Sequence, residues 1–214
     1  MRVLSKTGRA IWLFETIELN PRGVDSLAAY GAIRSKYSFT GPKTREEIEN
    51  SADGIRFQNG SFRPLGAGAF EVTLEIYKDG IIAETKSSTE LAELFLGDVM
   101  QFAKTQYGLY FEESMIRQRR YGSTLLFESN SGLARLSDTL SELAVELQAG
   151  TGRKYDVTGL TMGFDPIETS DGLGSFTIER RVGVPHAANR YFSLAPLQTE
   201  QHIALMERFE VLMA

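Results

Sequence analysis

Three arginines and a tyrosine lie close together in the chain, at Arg117, Arg119, Arg120 and Tyr121. An arginine guanidinium binds phosphate or carboxylate through two parallel hydrogen bonds, and a tyrosine ring stacks on a base or on another ring. This segment is therefore the best candidate for binding a small anion, a nucleotide or a nucleic acid. The alternative is local ion pairing with the two glutamates at 112–113, a few residues upstream.

A second arginine pair, Arg180 and Arg181, lies in a stretch with the pattern of a β-strand. Because side chains alternate between the two faces of a strand, the two guanidinium groups are expected on opposite faces. A guanidinium on the buried face needs a carboxylate partner or a ligand. Both residues join the candidate ligand-binding set, with a solvated edge strand as the alternative.

Two glycine-rich stretches do not match known phosphate-binding motifs. The stretch from Gly150 to Lys154 has the wrong spacing, and no Ser or Thr follows Lys154. It also follows a helix, so no helix N-terminus is directed at a phosphate. The stretch from Gly66 to Gly68 lacks a third glycine and leads into a strand, which excludes a dinucleotide-binding fingerprint.

The chain has only two histidines, His186 and His202. A metal site would need them to converge with a carboxylate such as Glu200 or Asp165. His202 is expected in the first turn of a helix, which favours a capping or surface role. The acidic loop at 165–171 lacks the spacing of a calcium loop, and no nucleophile-elbow sequence is present. We therefore predict no catalytic residue, no metal site and no cofactor.

Composition limits the possible classes of function. The formal net charge is −5 over 214 residues, so no overall positive field favours nucleic acid. The absence of cysteine excludes disulfides, thiolate nucleophiles and zinc–thiolate sites. No apolar run approaches the roughly 18 residues of a membrane span, and the first 14 residues lack the features of a signal peptide. We expect a soluble, cytoplasmic protein with no membrane partner.

The elements that must position these residues are clearest from Ala69 to Gln106, where the pattern predicts a β-hairpin followed by a helix. Phe70 to Tyr77 alternates apolar and polar residues, and Asp79-Gly80 is a strong turn signal. A two-residue loop at Asp79-Gly80 would place Glu75 opposite Glu84, which is unfavourable. We therefore favour a three-residue loop that ends at Gly80 in the left-handed conformation, with Ile76 opposite Ile82.

The helix that follows is predicted to begin at Ser87, with Glu90 completing a capping box. Its apolar side chains recur at helical spacing and indicate a broad buried stripe. Gly97 lies inside the helix at a cost of about 1 kcal/mol relative to Ala, which suggests a close approach by another element. The stripe comprises Leu91, Leu94, Phe95, Val99, Phe102 and Ala103.

A second helix is predicted from Leu133 to Gln148, with Leu136, Leu140, Leu143 and Leu147 on one side. Acidic residues form a ridge on another side of this helix, where mutual repulsion costs a few tenths of a kcal/mol per pair. The ridge consists of Asp138, Glu142 and Glu146.

The remaining patterns predict an α+β fold, with a mainly antiparallel sheet packed by helices. We treat residues 1–214 as one domain, with two similar strand-helix-strand-strand-helix halves, 1–107 and 108–214, as the alternative. The other predicted elements are a strand at Ala10–Leu19, a helix from Asp25 or Ser26 to Lys36, a helical turn at Thr44–Asn50, a hairpin turning at Asn59-Gly60, strands at Val157–Phe164 and Ser175–Val184, and a helix from Thr199 to Met213.

These observations favour a non-enzymatic interaction or assembly protein, which forms a homo-oligomer or a subunit of a larger complex. The reasons are mainly the missing catalytic and cofactor motifs, together with aromatic residues near element ends and a one-sided acidic helix. The first alternative is an anion- or nucleotide-binding protein or enzyme, in which the five arginines converge on the ligand. The second alternative is nucleic-acid binding through the segment from Arg117 to Tyr121.

Overall fold

The residues that the structure describes form eight strands and four α-helices, and the chain divides into two compact units. The first unit is Thr7–Tyr121, and the second unit combines Met1–Lys6 with Gly122–Ala214. The computed structural model describes residues 1–23, 25–42, 54–165 and 174–212.

The first unit has four antiparallel strands and two helices. In chain order its elements are β1 (Arg2–Leu13), α1 (Ser26–Lys36), β2 (Ile55–Phe62), β3 (Phe70–Tyr77), β4 (Gly80–Thr85), α2 (Thr89–Tyr107) and the start of β5 (Gln118–Glu128). Its strands lie in the order β2-β3-β4-β1, and the start of β5 follows β1.

The second unit contains the rest of β5 and the first residues of β1 beside it. Its further elements are α3 (Asp138–Thr151), β6 (Gly159–Met162), β7 (Phe176–Arg180), β8 (Arg190–Ala195) and α4 (Thr199–Leu212). Its strands lie in the order β5-β8-β7-β6, and the described pairs are antiparallel.

Both units follow the same path, strand-helix-strand-strand-strand-helix, and both connect their strands in the same way. The α+β class with antiparallel strands is confirmed. The second unit has one strand more than its predicted half, because Arg190–Ala195 forms β8. Under this shared path α1 corresponds to α3, and the β2–β3 pair corresponds to the β6–β7 pair.

Three predicted features lie outside the described residues: the helical turn at 44–50, most of the acidic loop at 165–171, and Met213. Among the described residues, no helix is long and apolar enough to cross a membrane.

The first strand begins earlier than predicted, and its buried face is opposite to the one with Ile11 and Leu13, which the sequence indicates as buried candidates. Its inward residues are Ala10 and Trp12, which are 0% and 4% exposed, whereas Ile17 is 82% exposed in a short 3-10 helix. Both sides of this segment carry large apolar residues, so their alternation alone could not identify the buried side. Its predicted central place in a sheet is correct, since β4 and β5 flank β1.

The predicted hairpin at Asn59-Gly60 is wrong, because β2 continues through it. The strand is unbroken from Ile55 to Phe62, with a bulge between Phe57 and Gly60. Asn59 has a φ of 54° at this bulge, and Thr40 pairs with Gln58 on the other side of β2. The turn signal thus marks a bulge, which also places a residue in the left-handed region.

The hairpin of β3 and β4 exists, but its turn differs from the predicted one. Ile76 lies opposite Ile81 and Tyr77 lies opposite Gly80, so Lys78 and Asp79 form the turn. This register avoids the Glu75–Glu84 pairing as well, because Glu75 lies opposite Ile82. The predicted three-residue loop ending at Gly80 is therefore wrong.

The neighbouring strand explains why Gly80 lies in β4 rather than in the turn. Gly80 pairs with Leu13 of β1, and a Cβ on Gly80 would lie 2.2 Å from the carbonyl oxygen of Trp12. The segment after β1 also holds the turn, since the Phe14 N–H donates to the Asp79 carbonyl oxygen at 3.0 Å. The turn is thus fixed by a third segment that local sequence does not reveal.

Helix α2 confirms the predicted helix, with small corrections. Its N-cap is Ser88 rather than Ser87, and the Ser88 hydroxyl accepts from the Leu91 N–H. Gly108, at a φ of 64°, ends the helix as predicted. Leu94 is 62% exposed, although it was predicted in the buried stripe. A Cβ on Gly97 would have no neighbour within 4 Å, so no other element approaches closely there.

Helix α1 packs beside α2 on one face of the first unit's sheet. The Tyr37 hydroxyl at the end of α1 donates to the Asp98 carboxylate of α2 at 2.5 Å. Burial, followed by this hydrogen bond, raises the pKa of Tyr37. The rings of Tyr30 and Phe57 are 6.3 Å apart, so α1 covers the inner face of β2.

Two glycine substitutions should have opposite effects on stability. Gly80→Ala should lower the free energy of unfolding by about 2 kcal/mol, because the new methyl group meets backbone. Gly97→Ala should raise it by about 0.5–1 kcal/mol, because alanine favours an open helix position. Chemical denaturation of the two variants tests both directions, and a destabilised Gly97→Ala would contradict the open helix face.

Candidate functional site

The segment from Arg117 to Tyr121 lies at the start of β5 in the first unit, where its arginines meet carboxylates. Arg117 pairs with Glu15 at 2.6 Å, and its side chain is 62% exposed. The Arg119 guanidinium lies 3.4 Å from both Glu93 and Glu113. Ion pairing thus occurs in this segment, although two of the three partners lie far away in sequence.

Of the other two residues of this segment, Arg120 has a local partner and Tyr121 has a distant one. Arg120 donates to the side-chain oxygen of Gln118 at 2.9 Å, while its Nε is buried without a hydrogen bond among the described residues. The Tyr121 hydroxyl lies 3.1 Å from both carboxylate oxygens of Glu93. This contact holds the tyrosine ring against the core of the first unit.

A groove of about 840 Å³ runs along α2 and includes Arg119. The guanidinium of Arg119 lies 5.4 Å from the centre of the Trp12 ring, which forms part of the groove. Among the charged residues that line it, carboxylates outnumber guanidinium groups, so its charge favours a cation over an anion. These residues are Glu90, Glu93, Asp98 and Glu113 against Arg63 and Arg119.

Arg180 and Arg181 belong to the second unit, and their contacts differ sharply. The Arg180 side chain is 5% exposed, and it donates to Asp156 at 2.9 Å and to the His186 carbonyl oxygen at 2.7 Å. Arg181 is exposed, as expected from strand alternation. The predicted need for a carboxylate partner is met by Asp156, but β7 lies between β8 and β6 and is not an edge strand.

The six predicted site residues therefore divide between the two units, four in the first and two in the second. Within the first unit, Glu93 brings Arg119 and Tyr121 together. Convergence of all five arginines on one ligand stays a prediction.

His202 is in the first turn of α4, as expected, but it is fully buried rather than at the surface. Its Nε2 lies 2.9 Å from the Ser193 hydroxyl, which donates to the Thr177 carbonyl oxygen. Burial lowers the pKa of His202 to about 4. Both side chains are enclosed, with Ser193 only 1% exposed, so the pair serves the core and does not reach a substrate.

His186 is separate from His202 in its contacts. Its Nδ1 lies 3.5 Å from Asp156, the carboxylate that also holds Arg180. In the part of the chain that the structure describes, no three His, Asp or Glu side chains are grouped to hold a metal ion.

An apolar cavity of about 290 Å³ lies between α1, α2 and the sheet of the first unit. Its described lining contains no charged side chain, and its aromatic residue is Tyr30, whose pKa is raised by burial. Alanines on the two helices, Ala29 and Ala103, leave much of this space open. The sequence signal for this cavity is the presence of small residues on the inner faces of both helices. A lining without charged side chains does not favour an anion.

The second unit has an uncovered apolar helix. Helix α3 begins at Asp138 rather than at Leu133, and none of its described side chains is buried. The leucines of its predicted stripe are exposed, with Leu140 at 39%, Leu143 at 49% and Leu147 at 49%. Of the predicted stripe, only Leu136, which precedes α3, packs against the core.

The same unit has an uncovered apolar sheet face at β6 and β7. Leu160 lies opposite the buried Ile178 and Met162 lies opposite Phe176, so these residues share the core face. Met162 is nevertheless 49% exposed, and Leu160 and Phe176 are half-buried. The second unit thus presents an apolar helix and an apolar sheet face at once.

Comparison of the sequence with protein-family models and with curated proteins found no match.

Loss of the Asp156 carboxylate should leave the Arg180 charge buried and poorly compensated. We expect Asp156→Ala to lower the free energy of unfolding by about 3 kcal/mol. Arg181→Ala is the matched control, because Arg181 directly follows β7 and is exposed, with an expected change within about 0.5 kcal/mol. Equal effects in urea denaturation would show that Asp156 does not stabilise the buried arginine.

His202 should make stability depend on pH in a defined window. Its pKa is about 4 in the folded chain and about 6.5 when unfolded, so the unfolded state binds more protons between these values. Stability should therefore fall as the pH drops below about 6.5, by roughly 2 kcal/mol down to pH 4.5. Denaturation of the parent chain and of His202→Gln across this range tests it, because the variant should lose this part of the slope.

Proposed function

We propose that this chain is a non-enzymatic interaction or assembly protein that acts as a homo-oligomer or as a subunit of a larger complex. The observation that carries the proposal is helix α3, whose leucine stripe is exposed along its length. A helix of 14 residues depends mostly on packing of its apolar face for stability in water. An uncovered stripe of this kind is typical of a surface that binds another protein.

Helices α1 and α3 occupy corresponding places in the two units but differ in which residues they bury. Helix α1 buries Ala29 and Ile33, and it is followed by the buried Tyr37. The corresponding helix α3 has half-buried Ser141 and Ala144, while its leucines remain exposed. The small residues of α3 therefore contact their own chain, and its large apolar residues are left for a partner.

The arginine contacts give less support to the alternatives. The guanidinium groups of Arg117, Arg119 and Arg180 already face carboxylates, so an anion would have to displace those partners. The acidic balance of the groove beside α2 also opposes a phosphate. An anion- or nucleotide-binding role and a nucleic-acid role remain the alternatives, and phosphate titration with thermal unfolding separates them from the proposal.

A cytoplasmic location belongs to the same proposal. The chain has no cysteine, so it neither uses disulfides nor needs an oxidising compartment.

Substitution of a stripe leucine should weaken association without unfolding the chain. Leu143→Asp should raise the apparent dissociation constant by about tenfold or more, because the interface would bury an unpaired carboxylate. Val182→Asp is the control, since Val182 is 94% exposed in the same unit but outside α3. Analytical ultracentrifugation over a concentration series measures the shift.

Equal association of both variants and the parent chain would show that α3 is not the interface. A parent chain that is monomeric at high concentration, and that retains no protein in pull-downs, would contradict the proposal itself.

A further inference from the structure

We infer that two copies of this chain associate reciprocally, with helix α3 of each copy covering the β6–β7 face of the other. The inference rests on the proposed function and names the partner as a second copy. It starts from the shared path of the two units, in which α1 corresponds to α3 and β2–β3 corresponds to β6–β7.

The first unit shows what this arrangement of strands needs. Its β2 and β3 carry Phe57 and Leu74, both 0% exposed, on the face towards the helices. Helix α1 supplies part of the cover, because Tyr30 contacts Phe57 and shares a cavity with Leu74. A helix following the first strand therefore completes the core over the second and third strands.

Among the residues that the structure describes, no helix of the second unit gives this cover to β6. The described core cluster there has six buried apolar residues, whereas that of the first unit has nineteen. Met162 and the following Phe164 are 49% and 41% exposed beside the half-buried Leu160 and Phe176. Helix α4 buries Met206 on the same core, so the missing layer corresponds to α1.

The missing layer has a matching donor on the same chain. Leu140, Leu143 and Leu147 recur on one side of α3 at helical spacing, and Asp138, Glu142 and Glu146 lie on another side. An apolar stripe with an acidic outer ridge suits a helix lying on an apolar sheet face. One copy thus provides both complementary surfaces, which is the requirement for a closed, self-complementary dimer.

The segments directly before and after α3 are bound to the second unit, whereas the leucines of α3 itself are exposed. Before α3, Leu133 is buried and its N–H donates to the Tyr191 hydroxyl at 3.2 Å. After α3, Asp156 binds Arg180. The contacts of Leu133 and Asp156 thus fix the segments before and after α3, whereas no leucine of α3 belongs to the buried core.

The absence of native cysteine allows a direct test by disulfide cross-linking. Leu143→Cys carrying an affinity tag is mixed with untagged Met162→Cys and oxidised, so that heterodimers and homodimers differ in mass. The heterodimer should form about tenfold more than in a mixture of Leu143→Cys with Val182→Cys, because only the first pair is held together by the interface. Circular dichroism of each variant checks that it is folded.

The other outcomes separate this inference from the proposed function. Predominant Leu143→Cys homodimers would show that α3 packs on α3. A chain that carries both Leu143→Cys and Met162→Cys tests the other case, because an intramolecular disulfide in it would show that α3 closes on its own unit. Either result overturns the reciprocal contact. If light scattering still shows self-association, the proposed function stands. A strictly monomeric chain overturns this inference, and it overturns the proposed function only if pull-downs also retain no protein.

Discussion

The backbone pairing of strand β1 is the constraint on which the other elements depend. Its residues belong to both units, and in the first unit its ladder with β4 determines the hairpin register. The Trp12 carbonyl oxygen leaves no room for a side chain at Gly80, and the following segment binds the turn through Asp79. Because a shift of one residue turns every side chain to the opposite face, this contact also decides which residues enter the core.

The two units follow the same path but differ in the size of their described cores. Helices α1 and α2 enclose Phe57, Leu74 and Phe95 in the first unit. In the second unit α4 contributes the buried Met206 to the core, while the leucines of α3 remain exposed. Leaving apolar surface exposed to water costs about 25 cal/mol per Å². A partner that covers the exposed apolar surface of the second unit would remove this cost.

The charged residues have a mainly structural role in the described contacts. Arg180 is held by Asp156 and by a backbone carbonyl inside the second unit, where an unpaired guanidinium would be costly. Arg119 is shared between Glu93 and Glu113 at the surface of the first unit, where pairing contributes little to stability. A run of arginines in sequence therefore does not by itself identify an anion site.

The sequence by itself determined the elements whose signals are local. The apolar spacing of α2, the cap of α1 at Asp25, one of two predicted candidates, and the antiparallel α+β class all follow from neighbouring residues. Only the tertiary structure decided the Lys78-Asp79 turn, the burial of His202 and the exposure of the α3 leucines. The physical reason is that register and burial depend on contacts between residues far apart in sequence. An amphipathic stripe predicts that a helix needs an apolar surface, but not which surface covers it.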